Sequence, residues 1–344
     1  MDATDFAILR YMFPNGEGRF WGSHSIVDPR ITPREIGERV GLSEVAVRGR
    51  IGKLRAGGLL LGSSVWPNPR LFGATQRVVD LTARDTEHAE RMLRSLEQIR
   101  GVLSARVMID EDARRLRVSF VSDTPERTSR RTRELLRLSD LPTSGPVATE
   151  WIPTCNWPMR PIDWRILVEL RRSPGLSLSD HARHLGLTLK TVSQRFHGLL
   201  DHHAIFWALH VDNAQLPVAA CIVDLEHPSV RETVRREVES RIVDWLPAAP
   251  GGLGEPPHPP APWIAGMFWL PAAGASETLT RTLLRIPGVR SVRRRFPSLA
   301  ISNPTWFDEQ LGAQLWESPS KMRTEPVDGP APSSSLGRTL ANPS

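Results

Sequence analysis

Residues 31–60 read ITPREIGERVGLSEVAVRGRIGKLRAGGLL, and their spacing predicts a helix-turn-helix. Thr32, Pro33 and Glu35 stand as N-cap, first helical residue and acidic partner of a capping box. Gly41 suits the left-handed backbone that ends a helix, and Ser43 is placed to cap a second helix starting at Glu44. In that helix Val47, Ile51 and Leu54 fall on one face, while Arg48, Arg50, Lys53 and Arg55 spread over the rest. One face packs and another is basic.

Working outward, DFAILRYMF from Asp5 to Phe13 carries a helical apolar stripe and supplies a first helix. Pro14 to Arg30, with glycines, prolines and the pair Phe20 and Trp21, reads as an inserted loop that breaks the pattern. Gly57 and Gly58 end the second helix of the motif, and LLLGSSVW then reads as a short strand pair, the wing of a winged helix.

The motif recurs. In SLSDHARHLGLTLKTVSQRFHGLLDHHAI, from Ser177 to Ile205, Gly186 repeats Gly41, Leu187 repeats Leu42, Thr188 repeats Ser43, Val192 repeats Val47, Arg195 repeats Arg50 and Leu199 repeats Leu54. DWRILVEL from Asp163 likewise repeats DFAILRYM. After each motif the patterning predicts β-α-β-β-α-β. In the first copy this order runs through TQRVVDLTA, HAERMLRSLEQI, GVLSARVMI, LRVSFVS, PERTSRRTRELLRL and VATEWI. In the second it runs through VAACIVDL, SVRETVRREVESR, IVDWL, WIAGMFWL, ASETLTRTLLRI and GVRSVRRRF, with the long connection PAAPGGLGEPPHPPAP inside its hairpin.

The predicted class is α+β, two winged helix-turn-helix domains alternating with two ferredoxin-like domains. Expected boundaries are 1–70 and 160–213 for the helix-turn-helix domains, and 74–153 and 216–303 for the ferredoxin-like domains. Residues 304–317 are expected to form a helix packed on the second sheet. Residues 318–344, rich in Ser, Pro and charge, have the composition of a disordered tail.

Composition narrows the function classes. The chain has 344 residues, enough for several small domains, with 40% hydrophobic and 24% charged residues. A formal net charge of +6 favours an anionic partner, nucleic acid foremost. Cys155 and Cys221 are the only cysteines, so neither a disulfide framework nor a thiolate zinc site is expected. No apolar run reaches membrane-spanning length and MDATDFAILRYM lacks the pattern of a signal peptide, so a cytoplasmic protein is expected.

The Asp near the start of DATDFAILRYM, the Gly41-Leu42-Ser43 turn and the V-x-x-R-I-x-x-L helix from Val47 to Leu54 resemble the leucine-responsive/AsnC, or feast/famine, transcription-regulator family. The resemblance runs as two copies from Met1 to about Ser302. It implies a tandemly duplicated regulator that binds double-stranded DNA and acts as a monomeric pseudo-dimer or as a homo-oligomer through its ferredoxin-like domains. An amino-acid-like small effector is implied as well. The family's Gly-x-x-Asp element is missing, however, because GVLSARVMI is followed by DEDARR.

The residues expected to face DNA are Ser43, Glu44, Val45, Arg48 and Gly49 toward the major groove, with Arg34, Arg50 and Lys53 toward phosphates. In the second copy they are Thr188, Lys190, Ser193, Gln194 and Arg195, and Leu189 and His197 are also exposed candidates. If both copies bind, the site is an imperfect palindrome or two unlike half-sites. Against this stands a second copy that has degenerated into a structural partner.

Six histidines between His181 and His210 invite a metal, but no carboxylate or cysteine completes a ligand set and His181 falls at the buried position of Ile36, so no metal and no cofactor are expected. Trp151, Trp157, Trp263 and Trp269 are read as core or interface packing. No nucleophile elbow, phosphate loop or HExxH motif is present, and the chain is expected not to be an enzyme. Two alternatives remain: a siroheme-decarboxylase-like enzyme of haem biosynthesis, and an effector or interaction module that does not bind DNA.

Overall fold

Local chemistry starts the helices where the sequence places them. The computed structural model describes residues 1–12, 20–21, 24–109, 114–139, 148–149, 152–212, 218–238, 242–246, 263–270 and 274–316. Helix α1 spans Ala3–Met12, α2 Pro33–Val40 and α3 Glu44–Ala56. At the start of α2 the Thr32 hydroxyl accepts from Glu35 N, and the Glu35 carboxylate accepts from Thr32 N at 2.7 Å, a closed capping box. Gly41 ends α2 at φ 72°, and Ser43 Oγ accepts from Ala46 N to start α3. A Cβ on Gly37 would lie 2.4 Å from the Leu42 carbonyl oxygen, so the tight approach of α2 to the turn requires a glycine there. Val47, Ile51 and Leu54 are buried on one face of α3 as predicted.

The second helical unit is built alike. Helices α6 (Pro161–Arg172), α7 (Leu178–Leu185) and α8 (Leu189–Asp201) are the counterparts of α1 to α3. Ser177 caps α7, Gly186 ends it at φ 63°, and Thr188 caps α8 by accepting from Thr191 N.

The strand after each helical unit does not form a wing of its own. Strand β3 (Leu60–Pro67) pairs antiparallel with β8 (Ile205–Val211), so the predicted local strand pair is replaced by a pairing across some 145 residues, Ser64 opposite Ala208. The exchange reaches the cores. Leu209 from β8 packs with Phe6, Ile8, Val47 and Ile51 of the first unit, and Val65 from β3 packs with Ile166, Val192 and Leu199 of the second. The expected insertion loop is also corrected where it is described. Residues Phe20–Trp21 and His24–Val27 form β1 and β2, and β2 adds to the other edge of β8, giving the order β1-β2-β8-β3.

The remaining strands make one eight-stranded sheet. Its members are β4 (Thr75–Ala83), β5 (Val102–Ile109), β6 (Arg114–Ser122), β7 (Ala148–Thr149), β9 (Val218–Leu225), β10 (Ile242–Leu246), β11 (Trp263–Trp269) and β12 (Val289–Ser302). Helices α4 (Thr86–Glu97) and α5 (Pro125–Leu136) fall between the strands of the first half, and α9 (Arg231–Val238) and α10 (Ala275–Leu284) between those of the second. Element order in each half is β-α-β-β-α-β, and the strand order is β10-β11-β9-β12-β5-β6-β4-β7. The halves join because β12 is longer than predicted. Its first part pairs with β9, and from Phe296 it pairs with β5, across a bulge between Pro297 and Ala300, as far as Ser302 opposite Ser104.

The last helix, α11 (Thr305–Trp316), does not pack on the second sheet as expected. Leu311 enters the core of the second helical unit, and Phe307 packs edge-on to Trp66 of β3 at 5.3 Å. Arg171 Nε donates to Asp308 at 3.2 Å and Arg100 Nε to Glu309 at 2.7 Å. The expected effector turn at 110–113, the Pro-rich connection at 247–262, Trp151 and the tail from 317 lie outside the described residues.

Candidate nucleic-acid interface

Helix α3 presents an open surface. Val45 is 78% exposed, and Ser43, Arg48, Gly49 and Lys53 are exposed with it. A Cβ on Gly49 or Gly52 would meet no atom within 4 Å, so the protein's own packing demands neither glycine. Arg48 donates from Nε and Nη2 to Glu44 Oε1 at 2.9 and 2.7 Å. That pair is solvent-exposed and of the i,i+4 kind, worth only about 0.3–0.5 kcal/mol, so the guanidinium is cheaply released to a better acceptor. Arg34 makes a similar exposed pair with Glu38.

Arg50 departs from its expected role. Its Nη1 donates to Asp2 Oδ2 at 2.8 Å and to Asp5 Oδ1 at 2.7 Å, turning it back onto α1 instead of toward phosphate. The Arg50 guanidinium holds the Asp2 carboxyl below the usual carboxylate range. Arg195 is corrected on the same ground. Its Nε lies 3.6 Å from Asp163 Oδ1, its guanidinium sits over the Trp157 ring, and Asp163 is fully buried while also accepting from Arg160 N at 2.8 Å. Arg50 fastens α3 to α1, and Arg195 fastens α8 to α6. The sequence carried a signal for this, since Asp5 and Asp163 occupy the same place in DFAILRYM and DWRILVEL.

On α8, Leu189, Lys190, Gln194 and His197 are exposed and Ser193 is half-buried. Thr188, like Ser43, spends its hydroxyl on capping. One flank of α8 is occupied. The Trp157 ring stacks near His202 at 5.0 Å and lies so close to Gly198 that a Cβ there would fall 2.4 Å from it. At the C-terminal end Arg30 bridges Asp28 and Asp201, linking the segment after β2 to α8. Residues 195, 198, 201 and 202 carry these contacts, His197 lies close enough to Asp28 to act on its charge, and 189, 190, 193 and 194 fall on other positions of the helix.

Two of the histidines meet on one carboxylate, which the sequence reading did not foresee. His181 is fully buried in α7 with Nδ1 3.5 Å from Glu169 Oε1, and His184 Nδ1 lies 2.8 Å from the same oxygen. Among the described residues no group of three or more His, Cys, Asp and Glu is arranged to hold a metal ion, and no helix is long and apolar enough to cross a membrane.

A row of arginines on the sheet, partly buried beneath the first helical unit, escaped the sequence reading. Ala105 and Val107 point into the core under α4 and α5, so Arg106 and Met108 point to the other face of β5. There Arg106 stands directly opposite Arg117, Met108 opposite Arg115, and Arg117 opposite Asp80. Arg106 is only 7% exposed, with the buried hydroxyls of Ser104 and Ser119 in the next row. The pairing of β5 with β6 creates this row, and no linear motif marks it.

Residues 26–55, from β2 through most of α3, match the AsnC-type helix-turn-helix domain. No curated protein matches the chain. Among solved structures, the siroheme decarboxylase NirDL is similar over 91% of this chain and 99% of its own, at 12% identity and a TM-score of 0.49. The same enzyme in complex with an iron-uroporphyrin III analogue aligns over 90% of this chain and 99% of its own, at 13% identity and a TM-score of 0.46. AsnC of E. coli aligns over 42% of this chain and 93% of its own, at 16% identity and a TM-score of 0.31. The expectation that the chain is not an enzyme is corrected by the first two of these, because a protein similar to it over nine-tenths of its length is an enzyme.

Proposed function

We propose that the chain is a sequence-specific DNA-binding transcription regulator of AsnC type, in which a tandem duplication places two winged helix-turn-helix units on two ferredoxin-like halves and makes one chain a pseudo-dimer. The observation that carries the reading is the surface of α3. It lies within the matched AsnC-type segment, is capped by Ser43, is fastened behind by Arg50, and leaves Val45, Arg48, Gly49 and Lys53 facing outward. Such a helix fits a major groove, with cations on phosphates setting affinity and base-edge contacts setting sequence.

Mobility shifts of the full chain on its own promoter fragments and on random DNA, across a salt series, test this. Binding should weaken steeply with salt and favour particular promoters by about 10³-fold or more over random sequence. Equal affinity for promoter and random DNA rejects the regulator.

A second reading, chemistry on a tetrapyrrole as in siroheme decarboxylases, is favoured by the row Arg106, Arg115 and Arg117. Arginines so placed suit the carboxylates of such a substrate. The strands of the eight-stranded sheet bring no histidine to that face. Incubation with siroheme, followed by absorbance and product mass, decides it. A decarboxylated product would move the assignment to this reading.

A further inference from the structure

We infer that the DNA this chain recognises is polar: two inverted half-sites of unlike composition, a guanine beside a thymine under α3 and an adenine under α8. One chain then lies on the duplex in a single orientation. The inference rests on the DNA-reading role proposed above for α3 and extends it to α8.

The inverted arrangement comes from the β3–β8 pair. Ser64 lies opposite Ala208 and Ser63 opposite Leu209. At the 145-residue offset of the two motifs, Ala208 is the counterpart of Ser63 and Leu209 of Ser64. The pairing is therefore symmetric about its own centre, and the antiparallel strands carry α3 and α8 in opposite senses. That is the relation of two reading helices on an inverted repeat.

A homodimer would offer identical side chains to both halves. Here the reading positions differ at every matched place: Glu44 against Leu189, Val45 against Lys190, Arg48 against Ser193, and Gly49 against Gln194. Arg48 can bridge guanine O6 and N7 once released from Glu44, and the freed carboxylate can accept from a cytosine amino group. The exposed Val45 methyls suit the 5-methyl of thymine. In the second unit Gln194 is exposed and has the paired donor and acceptor that match adenine N6 and N7, while the exposed Lys190 suits a phosphate. The contacts of Trp157 and Arg30 with α8 leave this side open, because they fall at Arg195, Gly198 and Asp201.

Selection of bound sequences from a random duplex pool with the full chain, followed by affinity measurement on single-base variants, tests the inference. The expected site has two unlike halves with centres about one helical turn apart. Arg48→Ala should abolish the guanine preference in one half and Gln194→Ala the adenine preference in the other, each by about 10- to 100-fold and without effect on the opposite half. Replacing thymine by deoxyuridine in the first half should weaken the wild type and leave Val45→Ala unchanged. A perfect palindrome, or a Gln194→Ala protein with every base preference intact, overturns the inference while leaving DNA reading by α3 standing. No enrichment over the starting pool overturns both.

Discussion

The two helical units share their framework and differ in what surrounds α3 and α8. In the first, α3 meets solvent along Val45, Gly49, Gly52 and Lys53, and its anchor Arg50 reaches carboxylates at the partly open N-terminus of the chain. In the second, the anchor Arg195 faces a fully buried Asp163, Trp157 closes over Gly198, and His181 fills a core position held by Ile36 in the first. The same arginine-to-aspartate clamp is thus part-buried in one unit and closed over a fully buried aspartate in the other. A repeated sequence pattern specifies where a helix is fastened, and the neighbouring segments decide how much stability and how much access that fastening gives.

The largest expected effect breaks this comparison at the clamp. Arg195→Ala leaves a buried carboxylate without its cation and should cost about 3–5 kcal/mol in chemical denaturation of the second unit, whereas Arg50→Ala should cost distinctly less. Equal losses would mean that the burial difference has no energetic weight. Next come the glycines. Gly198→Ala forces the Trp157 ring aside and should destabilise by about 1–3 kcal/mol with a change in tryptophan emission. Gly49→Ala meets open space and should stabilise α3 by about 1 kcal/mol; on the proposed docking of α3 in the major groove, the added methyl would meet a base edge and weaken DNA binding. An unchanged affinity would place the groove elsewhere on the helix.

Lys53→Ala should weaken binding to all sequences alike and flatten the salt dependence by roughly one counterion. The equivalent position in α8 is Gly198, so no matching phosphate contact is expected there. The smallest effect concerns the turn after each reading helix. Gly58 and His203 occupy matched places, and both have positive φ, 76° and 54°. Gly58→Ala should cost about 1 kcal/mol, and His203→Gly should return a similar or smaller amount, as read from thermal midpoints. Loss of stability on His203→Gly would show that the imidazole's own contacts outweigh the backbone strain.

Sequence made the local elements legible because their causes are local. The capping box at Thr32 and Glu35, the left-handed Gly41 and Gly186, and the apolar face of Val47, Ile51 and Leu54 all lie within a few residues of what they control. The strand spans TQRVVDLTA, VAACIVDL and IVDWL were likewise readable from patterning. The pairing of β3 with β8 was not, because hydrophobic alternation states which side of a strand is buried and says nothing about its partner. The same limit hid β2 on the edge of β8, the docking of α11 on α6, and the extension of β12 past Pro297. At the candidate site, exposure along α3 followed from helical periodicity. The pairing of Arg50 and Arg195 with aspartates depended on carboxylates 45 and 32 residues away in the chain.

Strand β12 also fixes an order of assembly. The edge of β5 is completed by residues 296–302, nearly 190 positions further along the chain. During synthesis from the N-terminus, the first half of the sheet must wait, with the hydrogen-bonding edge of β5 uncovered, until residues 296–302 have emerged. An uncovered strand edge is a template for unwanted pairing, so this interval is when the nascent chain is most exposed to misassembly. Chains cut short before Val289 should therefore aggregate even though the first helical unit and strands β4 to β6 are complete in them, and a separately supplied β12 peptide should relieve that aggregation.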